Sequence, residues 1–350
     1  MAKRKPLFAV FVAGIMALMF FTEGRAQVGG QSTYSFLNTT PSARIAAVGG
    51  YQPGLNTEDL TLSYKNPALI DSNVNRYATV SYGRHIADIN KGVLSHAREV
   101  EGRGTFQGNL QYIDYGTFQR ADAFGNKTGE FRAGEFALSL GHARGFGDFR
   151  VGANAKLIYS ALESYHSMGI AIDAGGFYFN EDNELGVGLV VQNLGTQIFS
   201  HTGNGLEPLP LDINLGATKK LLNAPFRFTL VAHSLQSPDL TFESTETVQN
   251  LQTGEVDEEG PSLSNRIFKH FTFATELVLS ENLQLRVGYN HQRREELQLE
   301  NIAGMSGFSW GFGIGISRFK VDFSRATYNP VGTTHQLTVS TNMEDWITSE

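Results

Sequence analysis

Residues 308–317 alternate strictly between large apolar side chains and small ones. Every second residue is serine or glycine, and the large side chains between them are Phe308, Trp310, Phe312, Ile314 and Ile316. Because successive side chains of a β-strand point to opposite faces, this pattern predicts a strand with one apolar face and one small, polar face. Such a strand needs an apolar medium along one side of its whole length.

The same alternation recurs along the chain and predicts fourteen strands. Most are about 8–11 residues long, the length that a tilted strand needs to cross the hydrocarbon layer of a bilayer. The predicted strands are residues 77–84, 89–96, 105–112, 135–141, 149–159, 168–178, 184–192, 211–215, 226–233, 271–279, 283–290, 308–317, 319–325 and 335–341.

A soluble β-sandwich also alternates and is the alternative to a membrane barrel. Sandwich strands average roughly 5–6 residues, which is shorter than most of these segments. Charged residues make up only 18% of the chain, against 38 glycines and 25 phenylalanines. The sequence therefore predicts an all-β fold, a transmembrane antiparallel β-barrel, whose closure leaves no sheet edge exposed to lipid. Candidates for its aromatic interface girdles are Tyr112, Tyr159, Tyr178, Tyr289 and Trp310.

Loop lengths support the barrel independently. With an even number of strands both termini lie on one side, which in outer-membrane barrels is the periplasmic side with short turns. All the predicted turns on that side have eight residues or fewer. Every longer predicted loop falls on the outer side, and these loops are residues 113–134, 194–210, 236–267 and 292–305.

The first 26 residues are typical of a secretory signal peptide. Basic residues at positions 3–5 precede an apolar run over 7–21, and the small residues Gly24 and Ala26 suit a cleavage site. An uncleaved anchor helix is the alternative, although the run is short for a membrane span. The sequence thus predicts a signal peptide (1–26), an N-terminal plug (27–75), the barrel (76–342) and a short periplasmic tail (343–350).

The plug segment does not alternate. A short helix is predicted over 57–65, with Asn56 or Thr57 as its cap. The Asn66-Pro67 pair ends this helix, because a residue before proline avoids the helical conformation. A flexible tail is the alternative, but disorder would need fewer apolar side chains than Leu60, Leu62, Tyr64, Leu69 and Ile70.

Three short motifs follow one another before the first strand: Ala43-Arg44, Gly49-Gly50 and Asn66-Pro67-Ala68. This order resembles the hatch of the long-chain fatty-acid transporter superfamily, the FadL-like barrels of the outer membrane. The resemblance implies a barrel closed by its own N-terminal segment. It also implies a function, namely a channel for hydrophobic solutes.

Further segments at 29–34, 162–165, 193–197, 207–210 and 224–228 resemble the PorQ family, outer-membrane components of the type IX secretion system of Bacteroidota. This resemblance spans nearly the whole mature chain and implies a non-enzymatic anchor. The barrel would hold the surface protein PorZ in the cargo-attachment complex with PorU and PorV, close to lipopolysaccharide. The chain departs from outer-membrane barrels in lacking a terminal aromatic residue, which leaves its insertion signal undefined. We take the anchor as the first hypothesis and the hydrophobic-solute channel as its alternative.

Motifs that carry catalysis are missing from the sequence. It contains no H-E-x-x-H, no G-x-x-x-x-G-K and no G-x-S-x-G, and it has no cysteine. The lack of cysteine excludes disulfides, a thiol nucleophile and a lipoprotein anchor. We therefore expect no enzymatic activity, no cofactor and no metal site. An outer-membrane hydrolase with scattered serine and histidine residues is a third hypothesis, since such sites are not local in sequence.

Charged residues on the polar faces of the strands form a candidate polar lumen. Two interpretations apply, a path for polar solutes or a self-compensating network that braces the barrel. Near-equal numbers of both signs favour the bracing network, because selective pores usually show one dominant sign. The inward-facing bases are Arg150, Lys156, Arg227, Arg286 and Lys320, and the inward-facing acids are Glu135, Asp173, Asp212, Glu276 and Asp322. Of these, the candidate lumen residues are Arg150, Lys156, Asp212, Arg227, Glu276 and Arg286.

The long loop 236–267 is strongly acidic, with seven carboxylates against the single basic residue Arg266. One interpretation is a solvated surface loop without a specific function. The functional alternative is a loop that docks a partner protein or binds lipid phosphates through a bridging cation. A formal net charge of −7 gives no support to nucleic-acid binding. The candidate partner-facing residues are Asp239, Glu243, Glu246, Glu255, Asp257, Glu258 and Glu259.

Overall fold

The fold was obtained as a computed structural model, which describes residues 32–347 apart from 86–88, 204, 241–262, 297–304 and 330–331. The predicted signal peptide lies outside the described residues, and so do six of the seven carboxylates of the acidic loop. Those six are Glu243, Glu246, Glu255, Asp257, Glu258 and Glu259.

Fourteen antiparallel strands form one closed barrel, which confirms the predicted fold class. Each strand pairs with its neighbours in sequence, and β1 pairs with β14 to close the wall. The strands are β1 (Tyr77–Arg84), β2 (Asn90–Val100), β3 (Gly104–Ala121), β4 (Lys127–Phe146), β5 (Phe149–Leu162), β6 (Tyr165–Asn180), β7 (Leu185–Phe199), β8 (Asp212–Lys220), β9 (Phe226–Ala232), β10 (Phe271–Ser280), β11 (Leu283–Asn290), β12 (Phe308–Ile316), β13 (Phe319–Asn329) and β14 (Gly332–Asn342).

The two faces of the wall follow the alternation in the sequence. In β12, Trp310 is 42% exposed on the outside, whereas Ser309 is buried on the lumen side. Leu138 and Leu140 of β4 also face outward, while Ser139 between them faces the lumen. An apolar outer face of this kind is stable only against an apolar medium, so the wall has the chemistry of a membrane-spanning barrel.

The barrel has two dissimilar ends. The end that holds Tyr77 and Asn342, called here the terminal end, carries short turns such as 147–148 and 281–282. The opposite end, called here the loop end, carries the connections β7–β8, β9–β10 and β11–β12. Two short helices, α3 (Leu263–Phe268) and α4 (His291–Glu296), lie in these connections.

The prediction of a loop over residues 113–134 is wrong for most of these residues. Strands β3 and β4 continue beyond the barrel rim and pair with each other as far as Ala121 and Lys127, leaving only residues 122–126 as a loop. A bulge between Asp114 and Thr117 shifts the register, and this interrupts the alternation on which the prediction relied. Likewise, the predicted loop 194–210 begins only after Phe199.

Short helices and turns of the plug lie inside the barrel. Helix α1 (Ala43–Ala47) is capped by Ser42, whose hydroxyl accepts a hydrogen bond of 3.3 Å from the Ile45 amide. Helix α2 (Leu60–Lys65) starts later than predicted, because Asp59 rather than Asn56 or Thr57 caps it and accepts from the Thr61 amide at 3.0 Å. The residue that ends α2 is Asn66, which is extended before Pro67 as predicted.

The described part of the plug runs from one end of the lumen to the other. At the loop end the Thr33 amide donates to the Pro208 carbonyl at 3.0 Å, and at the terminal end the Arg76 amide donates to the Ala97 carbonyl at 2.9 Å. After β14 a last helix, α5 (Glu344–Ile347), pairs through Glu344 with Arg76 at 3.0 Å. No helix in the described part of the chain has the length and apolar character needed to cross a bilayer.

Candidate functional site

Arg44 of the plug inserts its guanidinium into a cluster of charged side chains on the barrel wall. Its Nη2 lies 2.9 Å from Glu276 of β10, and its Nη1 lies 3.3 Å from Asp59, the cap of α2. All three side chains are buried. One arginine therefore connects two parts of the plug and one strand of the wall.

Glu276 is the centre of this cluster, which we call the arginine network. It also accepts from Arg227 of β9 at 2.7 Å and from the Nε of Arg286 of β11 at 2.9 Å. Arg286 in turn binds Asp322 of β13. Three guanidinium groups thus share one carboxylate in a region closed to solvent, where an unpaired charge would be costly.

The arginine network also affects the pKa of Asp59, the plug carboxyl that takes part in it. Burial raises the pKa of Asp59, but the adjacent Arg44, Lys320 and the Thr61 hydrogen bonds outweigh burial and bring the pKa below its ordinary value. Asp59 is therefore ionised at neutral pH and keeps both its capping and its ion-pairing role.

A second buried ion pair lies on the opposite wall. Lys156 of β5 contacts Asp173 of β6 and the side-chain oxygen of Asn193 of β7, both at 2.8 Å. The Asn193 backbone adopts a positive φ of 60° at a bulge, and its amide donates to Asp173 at 2.8 Å. Its side-chain amide reaches Asn38 of the plug at 2.8 Å, so this pair also holds the plug to the wall.

The remaining predicted lumen residues form separate contacts. Arg150 binds Asp71 and Asn56 of the plug at the terminal end and packs 4.9 Å from the Phe177 ring centre. Asp212 lies near the loop end and accepts from Asn214 at 2.9 Å. The structure therefore brings Arg227, Glu276 and Arg286 together and leaves Arg150, Lys156 and Asp212 apart from them.

Lys65 is a second buried cation of the plug, after Arg44. Its Nζ lies 3.4 Å from the carbonyl oxygen of Asn38. Burial lowers its pKa to about 8, and attraction by Asp212 opposes that change only in part.

All seven hatch-motif residues lie in the plug, and they are Ala43, Arg44, Gly49, Gly50, Asn66, Pro67 and Ala68. The Ala43 amide donates to Thr338 of β14 at 2.9 Å. Asn66 donates to the Pro53 carbonyl at 2.8 Å and accepts from the Ala68 amide at 3.1 Å. Gly49 and Gly50 have φ values of 90° and 102°, which only glycine adopts without strain.

Where plug and wall meet most closely, the wall contributes glycine. A Cβ at Gly188 would overlap the Pro53 carbonyl, and one at Gly152 would overlap the Pro67 carbonyl. Gly216 packs against the Pro53 ring in the same way. These glycines let the plug backbone lie directly on the barrel wall.

The lumen at the loop end contains an apolar patch that the sequence patterns did not identify. Ile113, Ala137, Ile158 and Ala171 project inward from β3, β4, β5 and β6. The plug fills the space between them and Leu209 of the β7–β8 connection with Tyr34, Phe36 and Leu37. A signal was present, because Tyr112-Ile113 and Leu157-Ile158-Tyr159 place apolar residues on both faces.

A serine–histidine cluster near the loop end does not have the order of a catalytic triad. The His201 Nε2 lies 3.0 Å from Ser160 and 3.1 Å from Ser167, while Glu135 accepts from Tyr115 at 2.5 Å. Both serines are fully buried, and the Glu135 carboxylate accepts hydrogen bonds from Ser160 and Tyr115 instead of from the histidine ring. In the part of the chain that the structure covers, no group of His, Asp and Glu side chains is arranged to hold a metal.

Asp239 is the carboxylate of the acidic loop that lies among the described residues. It pairs with Arg266 at 3.3 Å, and both side chains are partly exposed. This ion pair joins the described residues at the two ends of the loop.

Comparison with solved structures finds two transporters with a similar arrangement. The toluene transporter TbuX of Ralstonia pickettii matches with a TM-score of 0.52 and 12% identity over 87% of this chain and 97% of its own. The toluene transporter TodX of Pseudomonas putida matches with a TM-score of 0.50 and 11% identity over 86% and 96%. The fold is that of the FadL-like outer-membrane barrels. No protein-family model matches, and no curated protein matches by sequence.

The arginine network lies toward the terminal end of the barrel, and the apolar patch lies toward the loop end. In outer-membrane barrels the short turns and the termini face the periplasm. In that arrangement the terminal end would be periplasmic and the loop end would face outward. Of the two interpretations of the lumen charges, their close pairing supports the bracing network.

Proposed function

We propose that this FadL-like barrel is a non-enzymatic outer-membrane channel for hydrophobic solutes, held closed by its plug. One observation carries the proposal: the lumen has an inward-facing apolar patch on four successive strands, and the plug occupies it with Phe36 and Leu37. An apolar lumen surface serves a solute that leaves water. The toluene transporters with the same fold support the same solute class.

The contacts of the plug suggest which part of it moves. Residues 33–38 cross the apolar patch and are held by hydrogen bonds rather than by ion pairs of their own. The described bonds join Thr33 to Pro208, Gln111 to the Phe36 carbonyl, and Asn193 and Lys65 to Asn38. The arginine network lies deeper and holds helix α2 through Asp59. Withdrawal of residues 33–38 would expose the patch while the network keeps the rest of the plug in place.

Truncating the two plug side chains tests this proposal. We expect the double variant F36A/L37A to bind an apolar ligand in the space it creates, as emptied apolar cavities do. Toluene and oleate are the probes, with binding to purified protein measured by calorimetry and uptake measured in cells. Affinity should rise at least about tenfold, because the ligand no longer displaces two buried side chains worth about 1.5–3 kcal/mol each.

The matched control is Leu60→Ala, which empties a buried plug position in a different cluster, against Val74 and Ala97. It removes one buried side chain rather than two and lies outside the patch, so it should raise ligand affinity much less than the double variant does. Equal ligand binding by wild type, control and double variant would contradict a solute site at the patch.

The second candidate is the PorQ-like anchor. The positions of the five segments that resemble the PorQ family favour it. The described residues of segment 29–34, which are 32–34, reach segment 207–210 through the Thr33–Pro208 hydrogen bond. Segment 193–197 contacts the plug through Asn193, and segment 162–165 closes the β5–β6 turn at the same end. Four of the five segments thus meet at the outward-facing mouth, where a surface partner would dock.

The β3–β4 hairpin supplies a projecting element at this mouth. Beyond Asp114 and Ala133 it pairs only with itself and extends roughly 20 Å, at about 3.3 Å per residue. Phe118 and Phe131 stack at 5.3 Å, and Phe124 at the tip is 91% exposed. Asp122 fixes the tip by accepting from the Phe124 and Asn126 amides, both at 2.9 Å. In the anchor model this hairpin and the acidic loop are the contacts for a PorZ-like surface protein of the complex with PorU and PorV.

Removing the tip aromatic tests the anchor. We expect Phe124→Ala to lower the amount of PorZ that co-purifies with the barrel at least about fivefold, because central aromatic anchors contribute ~1–2 kcal/mol or more to an interface. Phe146→Ala is the control, since Phe146 is 56% exposed at the periplasmic end. PorZ recovery that is unchanged after Phe124→Ala and after deletion of 236–267, or of the part of 194–210 that follows β7 (200–210), would overturn the loop assignment. Solute uptake should be unaffected by Phe124→Ala, which separates the two functions.

A further inference from the structure

A groove of 410 Å³ lies on the outer wall of the barrel, facing the membrane rather than the lumen. It runs diagonally from the terminal half of β8 across the middle of β9 to the loop-end half of β10. Its side-chain lining consists of Ala217, Lys219, Phe228, Leu230, Phe273 and Thr275.

Strand register explains why the wall is indented here. Leu230 pairs with Ala217 on one side and Phe273 on the other, and Phe228 pairs with Lys219 and Thr275. Ala217 and Thr275 are thus small residues placed diagonally among bulky ones. Thr229 and Ala274 also line the groove. Since their side chains are buried toward the lumen, they form its floor with main-chain atoms.

One cation marks the periplasmic end of the groove. Lys219 lies one residue before the end of β8, and its Nζ donates to the main-chain carbonyl of Asn183 in the β6–β7 turn. Its aliphatic stem follows the apolar wall while its amine reaches the turn, which is where lipid headgroups lie. Next to it the Phe226 and Phe228 rings stack at 6.2 Å, as in an interface girdle.

We propose that this groove binds one glycerophospholipid of the periplasmic leaflet, with an acyl chain against Leu230 and Phe273 and its phosphate on Lys219. The apolar lining opens to the hydrocarbon layer, so its occupant is a membrane lipid. The single charge at one end complements an anionic phosphate at headgroup depth. The groove lies away from the lumen and from the outward mouth, so the inference is independent of both proposed functions.

Native mass spectrometry of the purified full-length protein, titrated with phosphatidylglycerol in detergent, tests the site. Wild type should take up a first lipid equivalent tightly. Ala217→Leu fills the groove and should lower the affinity for this first lipid at least about tenfold. Displacing as few as two methylenes of the acyl chain has that effect. Lys219→Gln should lower the same affinity about fivefold.

Two control variants separate the groove from the general lipid surface. Ala155→Leu adds the same bulk to an exposed, membrane-facing alanine of β5, and Arg144→Gln removes an exposed cation from the periplasmic end of β4. Both should bind lipid as wild type does, and all variants should migrate as folded, heat-modifiable barrels. Diacylglycerol, which lacks the phosphate, should bind wild type and Lys219→Gln equally.

Two outcomes would overturn the proposal. In the first, Ala217→Leu and Ala155→Leu bind phosphatidylglycerol with equal affinity. This would show that the lipid does not occupy the groove in particular. The other is equal loss of phosphatidylglycerol from Lys219→Gln and Arg144→Gln, which would show only general attraction between cations and lipid.

Discussion

Replacing Glu276 with glutamine is expected to lower the free energy of unfolding by about 3–5 kcal/mol, the effect of removing one partner from a buried ion pair. Glu276 is the shared acceptor of Arg44, Arg227 and Arg286, so the substitution leaves three buried guanidinium groups without their common carboxylate. Because Arg44 belongs to the plug, the same change should expose the plug to protease. Denaturant unfolding in detergent and limited proteolysis measure the two effects.

Glu163→Gln is the matched control, since it also removes an ion-paired glutamate. Its partner Arg120 lies at 2.7 Å, but both side chains are partly exposed. Exposed pairs contribute about 0–1 kcal/mol, so this variant should unfold almost as wild type does. If Glu276→Gln and Glu163→Gln shift the unfolding midpoint equally, the arginine network does not hold the plug.

Replacing Gly188 with valine is expected to displace the plug and open a conducting path through the barrel. A Cβ at this position would overlap the Pro53 carbonyl of the plug, and backbone atoms cannot move aside as a flexible side chain would. Overpacking of this kind costs about 1–3 kcal/mol, which the plug can relieve by leaving the wall. Planar-bilayer conductance and cell sensitivity to a large polar antibiotic should both rise well above wild type.

Gly108→Val provides the comparison for Gly188→Val. A Cβ at Gly108 of β3 would meet no atom within 4 Å, so the same chemical change adds bulk without displacing the plug. Conductance of this control should stay at the wild-type level. A closed Gly188→Val barrel with wild-type protease resistance would show that the contact with Pro53 is not needed for closure.

The barrel could be predicted from sequence because one physical rule acts on every strand. A lipid-facing position must be apolar and a lumen-facing one must be small or polar. The alternation around Trp310 therefore predicts both that the segment is a strand and which of its faces meets the lipid. The β3–β4 hairpin escapes this rule. Above the membrane neither face meets lipid, and residues such as Gln119 and Glu130 pair as strands without alternating in hydrophobicity.

The sequence predicted which charged residues line the lumen, but it did not predict which of them contact one another. The equal numbers of inward acids and bases indicated a bracing network, and Arg227, Glu276 and Arg286 do meet. That Arg44 of the hatch motif joins them depends on a contact across 232 positions of sequence, which no local pattern carries. The apolar patch behind Phe36 was missed for a similar reason, since Ile113 and Ile158 look like ordinary strand residues until the plug is placed against them.

The route of the plug through the lumen has a consequence for how the protein is assembled. Plug residues precede every strand, yet Ala43 bonds to Thr338 and Thr40 bonds to Gln336, both on the strand that closes the barrel. Contacts of such sequence separation form slowly, because a long chain segment must be ordered before they are made. We therefore expect the wall to close around a plug that is already in place. Joining β1 to β14 would then complete the contacts of the plug and the barrel in one step.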